Sequence, residues 1–87
     1  MVYRVELSAP VTRQLDALPE KVYGQVRRRI DALAANPRPP SVKKLKGVEN
    51  LYRIRSGDYR IVYQILDKKL LVLVVRIGNR REVYRGL

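Results

Sequence analysis

Apolar residues recur at helical spacing in the first part of this chain and at strand spacing in its second half, and that change of period most constrains the fold. Leu51 to Arg55, Tyr59 to Leu66 and Leu70 to Ile77 are three strand-like runs, separated by Ser56-Gly57-Asp58 and Asp67-Lys68-Lys69. Both separators are tight-turn sequences, so the runs read as a three-stranded antiparallel meander. Upstream, Val2 to Leu7 alternates and reads as a first strand. Ser8 offers an N-cap hydroxyl, Pro10 is tolerated in a first helical turn, and Val11, Leu15 and Leu18 recur at helical spacing. Pro19 restarts the helix. Tyr23, Val26, Ile30 and Leu33 then form one apolar stripe, with Glu20, Lys21, Arg27, Arg28 and Asp31 mostly off it. This second helix is expected to stop at Asn36-Pro37, since a residue before proline avoids the helical basin. The expected class is α+β: a strand, a helical hairpin, then a three- to four-stranded antiparallel meander with the helices on one face. Arg81 to Arg85 is expected to add a last strand or an ordered tail.

With 87 residues, 46% of them hydrophobic, the chain suits one small domain, taken as 1–87. It has neither cysteine nor histidine. Disulfides and thiolate sites are therefore excluded, and no metal or other cofactor is expected. The apolar run around Leu70 to Val75 falls far short of the roughly 20 residues that span a bilayer. The N-terminus lacks the apolar middle of a signal peptide. A cytoplasmic protein with no membrane partner is expected. Nineteen Lys and Arg against eight Asp and Glu give a formal charge of +11, which points to a polyanion or an acidic protein as partner.

Strand periodicity sorts these charges onto faces. Tyr52 and Ile54 fall on one side of the first meander strand, and Leu51, Arg53 and Arg55 on the other. Tyr59, Ile61, Tyr63 and Ile65 share a face of the next, opposite Arg60, Val62, Gln64 and Leu66. A hairpin folded around Ser56 to Tyr59 sets Arg55 directly across from Arg60. Like charges in that arrangement cost about 0.2–1 kcal/mol. Either both guanidinium groups splay into water, or a bound phosphate turns the repulsion into charge-assisted contacts. Lys43, Lys44 and Lys46 stand in a solvated loop just before this sheet, and Arg80 follows the last long strand. Arg27, Arg28 and Arg29 on the helix suit solvent or a partner rather than catalysis. Tyr52, Tyr59 and Tyr63 suit the core.

Lys44-Leu45-Lys46-Gly47, Leu51-Tyr52-Arg53-Ile54-Arg55, Gly57-Asp58-Tyr59-Arg60-Ile61-Val62-Tyr63 and Gly78-Asn79-Arg80-Arg81-Glu82-Val83-Tyr84 appear in this order. Together with Leu18-Pro19 and Asn36-Pro37, this series resembles the RelE/ParE toxin superfamily, on its RelE side, over nearly the whole chain. The resemblance implies a type II toxin: a ribosome-dependent endoribonuclease that cuts messenger RNA in the decoding site and is neutralised by a co-expressed acidic antitoxin. It implies that basic residues at Arg53, Arg55, Arg60 and Arg80 and the tyrosine Tyr84 surround the scissile phosphate, with Arg55, Arg60, Arg80 and Tyr84 as the catalytic set. Lys43, Lys44, Lys46 and Arg81, by their charge and their position beside that face, are expected to bind RNA together with Arg53. Arg53 and Arg55 stand where relatives often carry lysine, and Asn79 where they often carry histidine.

The chemistry such a site supports is attack by a ribose 2′-hydroxyl on the adjacent phosphorus, without a metal. Arginine stays protonated, so these substitutions remove the usual proton carriers. Lys46, Tyr84, and groups of the ribosome or the RNA remain as candidates for the base. Tyr84 also suits stacking on a splayed base. Two other readings stand beside the enzyme: a ParE-like inhibitor that binds DNA gyrase without catalysis, and a basic RNA- or DNA-binding module.

Overall fold

In the computed structural model the described residues are 2–79. Strand β1 (Arg4–Leu7) leads into helices α1 (Ala9–Asp16) and α2 (Glu20–Ala32), followed by strands β2 (Lys43–Lys44), β3 (Leu51–Ser56), β4 (Tyr59–Leu66) and β5 (Leu71–Asn79). The sheet order is β1-β5-β4-β3-β2. β2 through β5 pair antiparallel, whereas β1 runs parallel to β5, with Arg4 opposite Leu71 and Leu7 opposite Val74. A parallel neighbour requires a crossover, and the helical hairpin provides it. The anticipated strand or tail at Arg81 to Arg85 lies outside the described residues.

The helices form where the local signals place them. Ser8 caps α1 by accepting a hydrogen bond from the Val11 amide at 3.3 Å, and Pro10 occupies the first turn. Pro19 caps α2 with no side-chain hydrogen bond. The buried stripe of α2 differs from the expected one: Val26, Ile30 and Leu33 are buried, but Tyr23 is exposed and Val22 packs on the core in its place. Positions 22, 33, 26 and 30 fall within about 80° of one another on a 3.6-residue helix, and position 23 lies at the edge of that arc, about 20° beyond position 30, where Tyr23 is left 37% accessible. Regular helix ends at Ala32, earlier than Asn36-Pro37. Leu33, Ala34 and Ala35 instead bond to carbonyls three residues back, a tighter winding that prepares the chain for Pro37.

Two features of the meander arise from backbone requirements. Gly57 opens the two-residue β3–β4 turn at φ 59°, a left-handed conformation that glycine adopts without steric cost. After β4 the chain makes one 3-10 turn over Asp67–Lys69, and Leu70 takes φ 49°. The Leu70 carbonyl accepts from the Arg4 amide at 2.8 Å, so this turn also seats β1. One expectation is corrected here. Lys43 and Lys44 are strand rather than loop, paired with Arg53 and Tyr52.

The main core lies between the helices and one sheet face, with Val11, Leu15, Val26, Ile30, Leu33, Ile54, Ile61, Tyr63, Ile65, Val72, Val74 and Ile77 all buried. α1 sits over β5, where its Gln14 Oε1 accepts from the Ile77 amide at 2.9 Å. The opposite face carries a smaller apolar cluster, Leu51 and Val62 with Leu45 and Val75 packed against them. No described helix is long and apolar enough to cross a membrane.

Candidate nucleic-acid interface

Residues opposite each other in a sheet project to the same side, so the registers define this face row by row. One row crosses three strands as Arg55, Arg60 and Gly78. The next crosses four as Lys43, Arg53, Val62 and Arg76. The expected opposition of Arg55 and Arg60 is present. Neither row contains an acidic residue. Gly78 beside Arg60 contributes no side chain to the row.

The two opposed arginines do not both splay into solvent. Arg55 is exposed, but Arg60 is only 7% accessible, and its Nη1 donates to the carbonyls of Gly57 at 3.3 Å and Tyr59 at 3.2 Å. The β3–β4 turn thus holds the Arg60 guanidinium in place. A fixed donor costs less to organise around a developing charge than one recruited from solvent. Arg53 is half-buried beside it, and Lys43 is exposed at the sheet edge.

Not every expected residue reaches this face. Lys44 pairs with Tyr52, whose side chain packs on the helix-side core, so its register places it on the other side. Lys46 lies beyond β2, exposed, next to Gly47 at φ 79°. Asn79 pairs with Tyr59, again at helix-side parity. Arg80, Arg81 and Tyr84 lie outside the described residues. On α2, Arg27 pairs with Asp31 at 3.2 Å, while Arg29 Nε donates to the Arg55 carbonyl at 3.0 Å and ties the helix to the arginine strand. Gln25, Arg28, Arg29, Arg55, Ser56 and Gly57 line a shallow groove there.

Periodicity alone missed Arg76. The β4–β5 register shifts between Val62 and Tyr63, so that Arg76 pairs with Val62 and Val74 with Tyr63. Val75 is the extra residue of this bulge, and it packs with Leu51 and Val62. Val75 and Arg76 therefore both face away from the helices. Strict alternation from Val72 and Val74 would drive a guanidinium into the core, which was the available sign that the strand must bulge.

On the helix side, an aromatic and ionic clasp supports the sheet. Tyr52 and Tyr63 are cross-strand partners whose rings stack at 6.2 Å and 26°. The Tyr63 hydroxyl donates to the Pro37 carbonyl at 2.7 Å, and burial raises its pKa. Arg38 lies over the Tyr52 ring at 5.3 Å and grips Asp67 with both terminal nitrogens, at 3.2 and 2.8 Å. Tyr3 donates its hydroxyl to the same carboxylate at 2.6 Å. Hydrogen bonds from Arg38 and then Tyr3 hold the Asp67 carboxyl down at about 2. The clasp pins the connector after α2, and thereby the approach of β2 and Lys43 to the arginine strand.

Among the described residues, no three His, Cys, Asp or Glu side chains gather where they could hold a metal ion. Known proteins agree with the motif order. Residues 5–84 match the family model described as the ParE toxin of the type II toxin-antitoxin system parDE. The messenger RNA interferase toxin RelE of Escherichia coli strain K12 is 32% identical over 88 residues, spanning 97% of this chain and 92% of that protein. Toxin RelE of Mycobacterium tuberculosis is 34% identical over 84 residues, 95% of this chain and 87% of its own length. In the crystal structure of an archaeal RelE-RelB complex from Pyrococcus horikoshii, a chain 32% identical superposes with a TM-score of 0.82, covering 95% of this chain and all of that one. With a family model spanning nearly its full length and relatives of this similarity, the chain belongs to the RelE/ParE superfamily of type II toxins.

Proposed function

We propose that this protein is a messenger RNA interferase that inhibits translation by cutting messages held in the ribosome's decoding site, and that an acidic antitoxin restrains it. The observation that carries the reading is the Arg55–Arg60–Gly78 row, where a turn-held guanidinium and an exposed one share one sheet face beside Arg53. Relatives named messenger RNA interferase or toxin RelE, at 32% and 34% identity, favour RNA cleavage over gyrase inhibition. A relative crystallised with RelB supports the antitoxin.

The reaction is an in-line displacement within the RNA. The 2′-oxygen forms a bond to phosphorus as its proton departs, the bond from phosphorus to the 5′-oxygen breaks, and that oxygen gains a proton. The products are a 2′,3′-cyclic phosphate and a 5′-hydroxyl. Arg60 stabilises the charge that grows on the nonbridging oxygens. Arg55 and Arg53 hold the flanking backbone, and Lys43 extends the positive edge. These guanidinium groups supply charge and orientation, not proton transfer. The motif Gly78-Asn79-Arg80-Arg81-Glu82-Val83-Tyr84 supports assigning Arg80 and Tyr84 to the same constellation. The cleavage itself uses no protein-bound metal ion. Translation of a defined message with and without the protein, followed by primer extension, tests the reading. Full-length message together with unimpaired translation would reject it.

A further inference from the structure

The bulge in β5 does more than keep a charge out of the core. By placing Arg76 opposite Val62, it brings Arg76 into the row of Lys43 and Arg53 and makes it a diagonal neighbour of Arg60, which faces Gly78 two residues further along β5. Diagonal partners on adjacent strands stand about 7–8 Å apart. Arg53 and Arg76 flank β4 at two strand spacings, about 9–10 Å. Val62 between them is short, and Gly78 has no side chain, so within these two rows no bulky side chain stands between the three guanidinium-bearing positions. Arg76 is partly accessible rather than buried. A straight strand would offer this face one residue at that point, whereas the bulge offers it two, Val75 into the apolar cluster and Arg76 into the basic row. Bulges commonly re-aim a side chain beside a functional site.

We propose that Arg76 is a further phosphate-binding residue of this interface, delivered to it by the bulge, and that it holds a backbone phosphate adjacent to the one at Arg60. The inference rests on the reading of this face as an RNA site. Its ligand is the sugar-phosphate backbone of single-stranded RNA, whose sequence a guanidinium at this position does not read.

Counterion release provides a readout that a packing role would not move. Each phosphate contact on single-stranded nucleic acid contributes about 0.7 to the slope of log affinity against log salt concentration. The full chain is titrated against an uncleavable 2′-O-methyl RNA oligonucleotide at several salt concentrations, by fluorescence anisotropy, as parent, Arg76→Gln, Arg76→Met, Arg76→Lys and Arg13→Gln. Arg76→Gln is expected to bind about tenfold more weakly at low salt and to lower the slope by about 0.7. Arg76→Lys should keep the slope, and so should Arg13→Gln on α1. Arg76→Met retains bulk without charge and is scored beside Arg76→Gln. A folded neutral variant with the parent's slope overturns the proposal, and so does loss of the fold in both neutral variants, which would assign Arg76 to packing. Parent protein that fails to bind the oligonucleotide would reject the RNA reading itself, a result distinct from a bound parent with an indifferent Arg76.

Discussion

Replacing Arg60 with alanine separates its contribution to the fold from its contribution to the reaction, because the two have different sizes. The Nη1 bonds to Gly57 and Tyr59, at 3.3 and 3.2 Å, are at the long end of the hydrogen-bond range and are each worth about 0.5–1 kcal/mol. Adding the lost packing of a side chain only 7% accessible brings the expected cost to roughly 2–3 kcal/mol. For a domain of this size that lowers the melting temperature by about 10–20 °C. A domain starting near 5 kcal/mol would still be more than ~95% folded at 25 °C. Unfolding therefore removes only a few per cent of the rate. Loss of a fixed donor to a developing oxyanion removes about 100- to 1000-fold. Single-turnover cleavage on programmed ribosomes, with circular dichroism on the same samples, measures both quantities. Arg60→Lys keeps the charge but not the fork and should fall between parent and alanine. A folded Arg60→Ala variant within about threefold of the parental rate would refute the assignment, as would a rate that merely tracks the unfolded fraction.

The Asp67 carboxyl lies below its ordinary value of 3.8, at about 2, because Arg38 and then Tyr3 hydrogen-bond the charged form. A depressed folded value means that the clasp's contribution is fully present above about pH 4 and is lost as pH falls towards 2. Between those limits the parent's melting temperature should drop more than that of Asp67→Asn, and parallel curves would dissociate the clasp from acid stability. Co-expression with the product of an adjacent gene for a small acidic protein should yield a stable complex, because a chain at +11 favours an acidic, partly disordered partner that folds on binding. Recovery of the protein alone, with growth unaffected when it is expressed without that partner, would count against restraint by an antitoxin.

Local signals were enough to read the meander and its faces. The Ser56-Gly57-Asp58 turn set the β3–β4 register, and from that register the opposition of Arg55 and Arg60 followed. Features that depend on tertiary partners were less legible. Lys43 and Lys44 have no strand propensity of note, and they become β2 because β3 offers an edge and the Arg38–Asp67 clasp anchors the preceding connector. The parallel seating of β1 on β5 depends on where the helical hairpin delivers the chain, a long-range outcome invisible to windows of a few residues. Tyr23 shared both the apolar character and the spacing of the α2 stripe, but it stands at the edge of the buried arc and is left exposed while Val22 packs on the core. The burial of Arg60 required knowledge of the turn carbonyls it would find. Arg76 required recognising that one extra residue, Val75, reverses the parity of everything after it.

The central claim is cleavage of messenger RNA, and the most direct measurement is chemical analysis of the ends produced when purified protein meets ribosomes programmed with a defined message. The account predicts cuts mapped by primer extension within the decoding site, little cleavage of the same RNA without ribosomes, a 2′,3′-cyclic or 3′-phosphate on the upstream fragment and a 5′-hydroxyl on the downstream one. Intact message under conditions where the protein instead blocks DNA supercoiling by gyrase would contradict it, and 3′-hydroxyl ends would contradict the proposed 2′-hydroxyl attack.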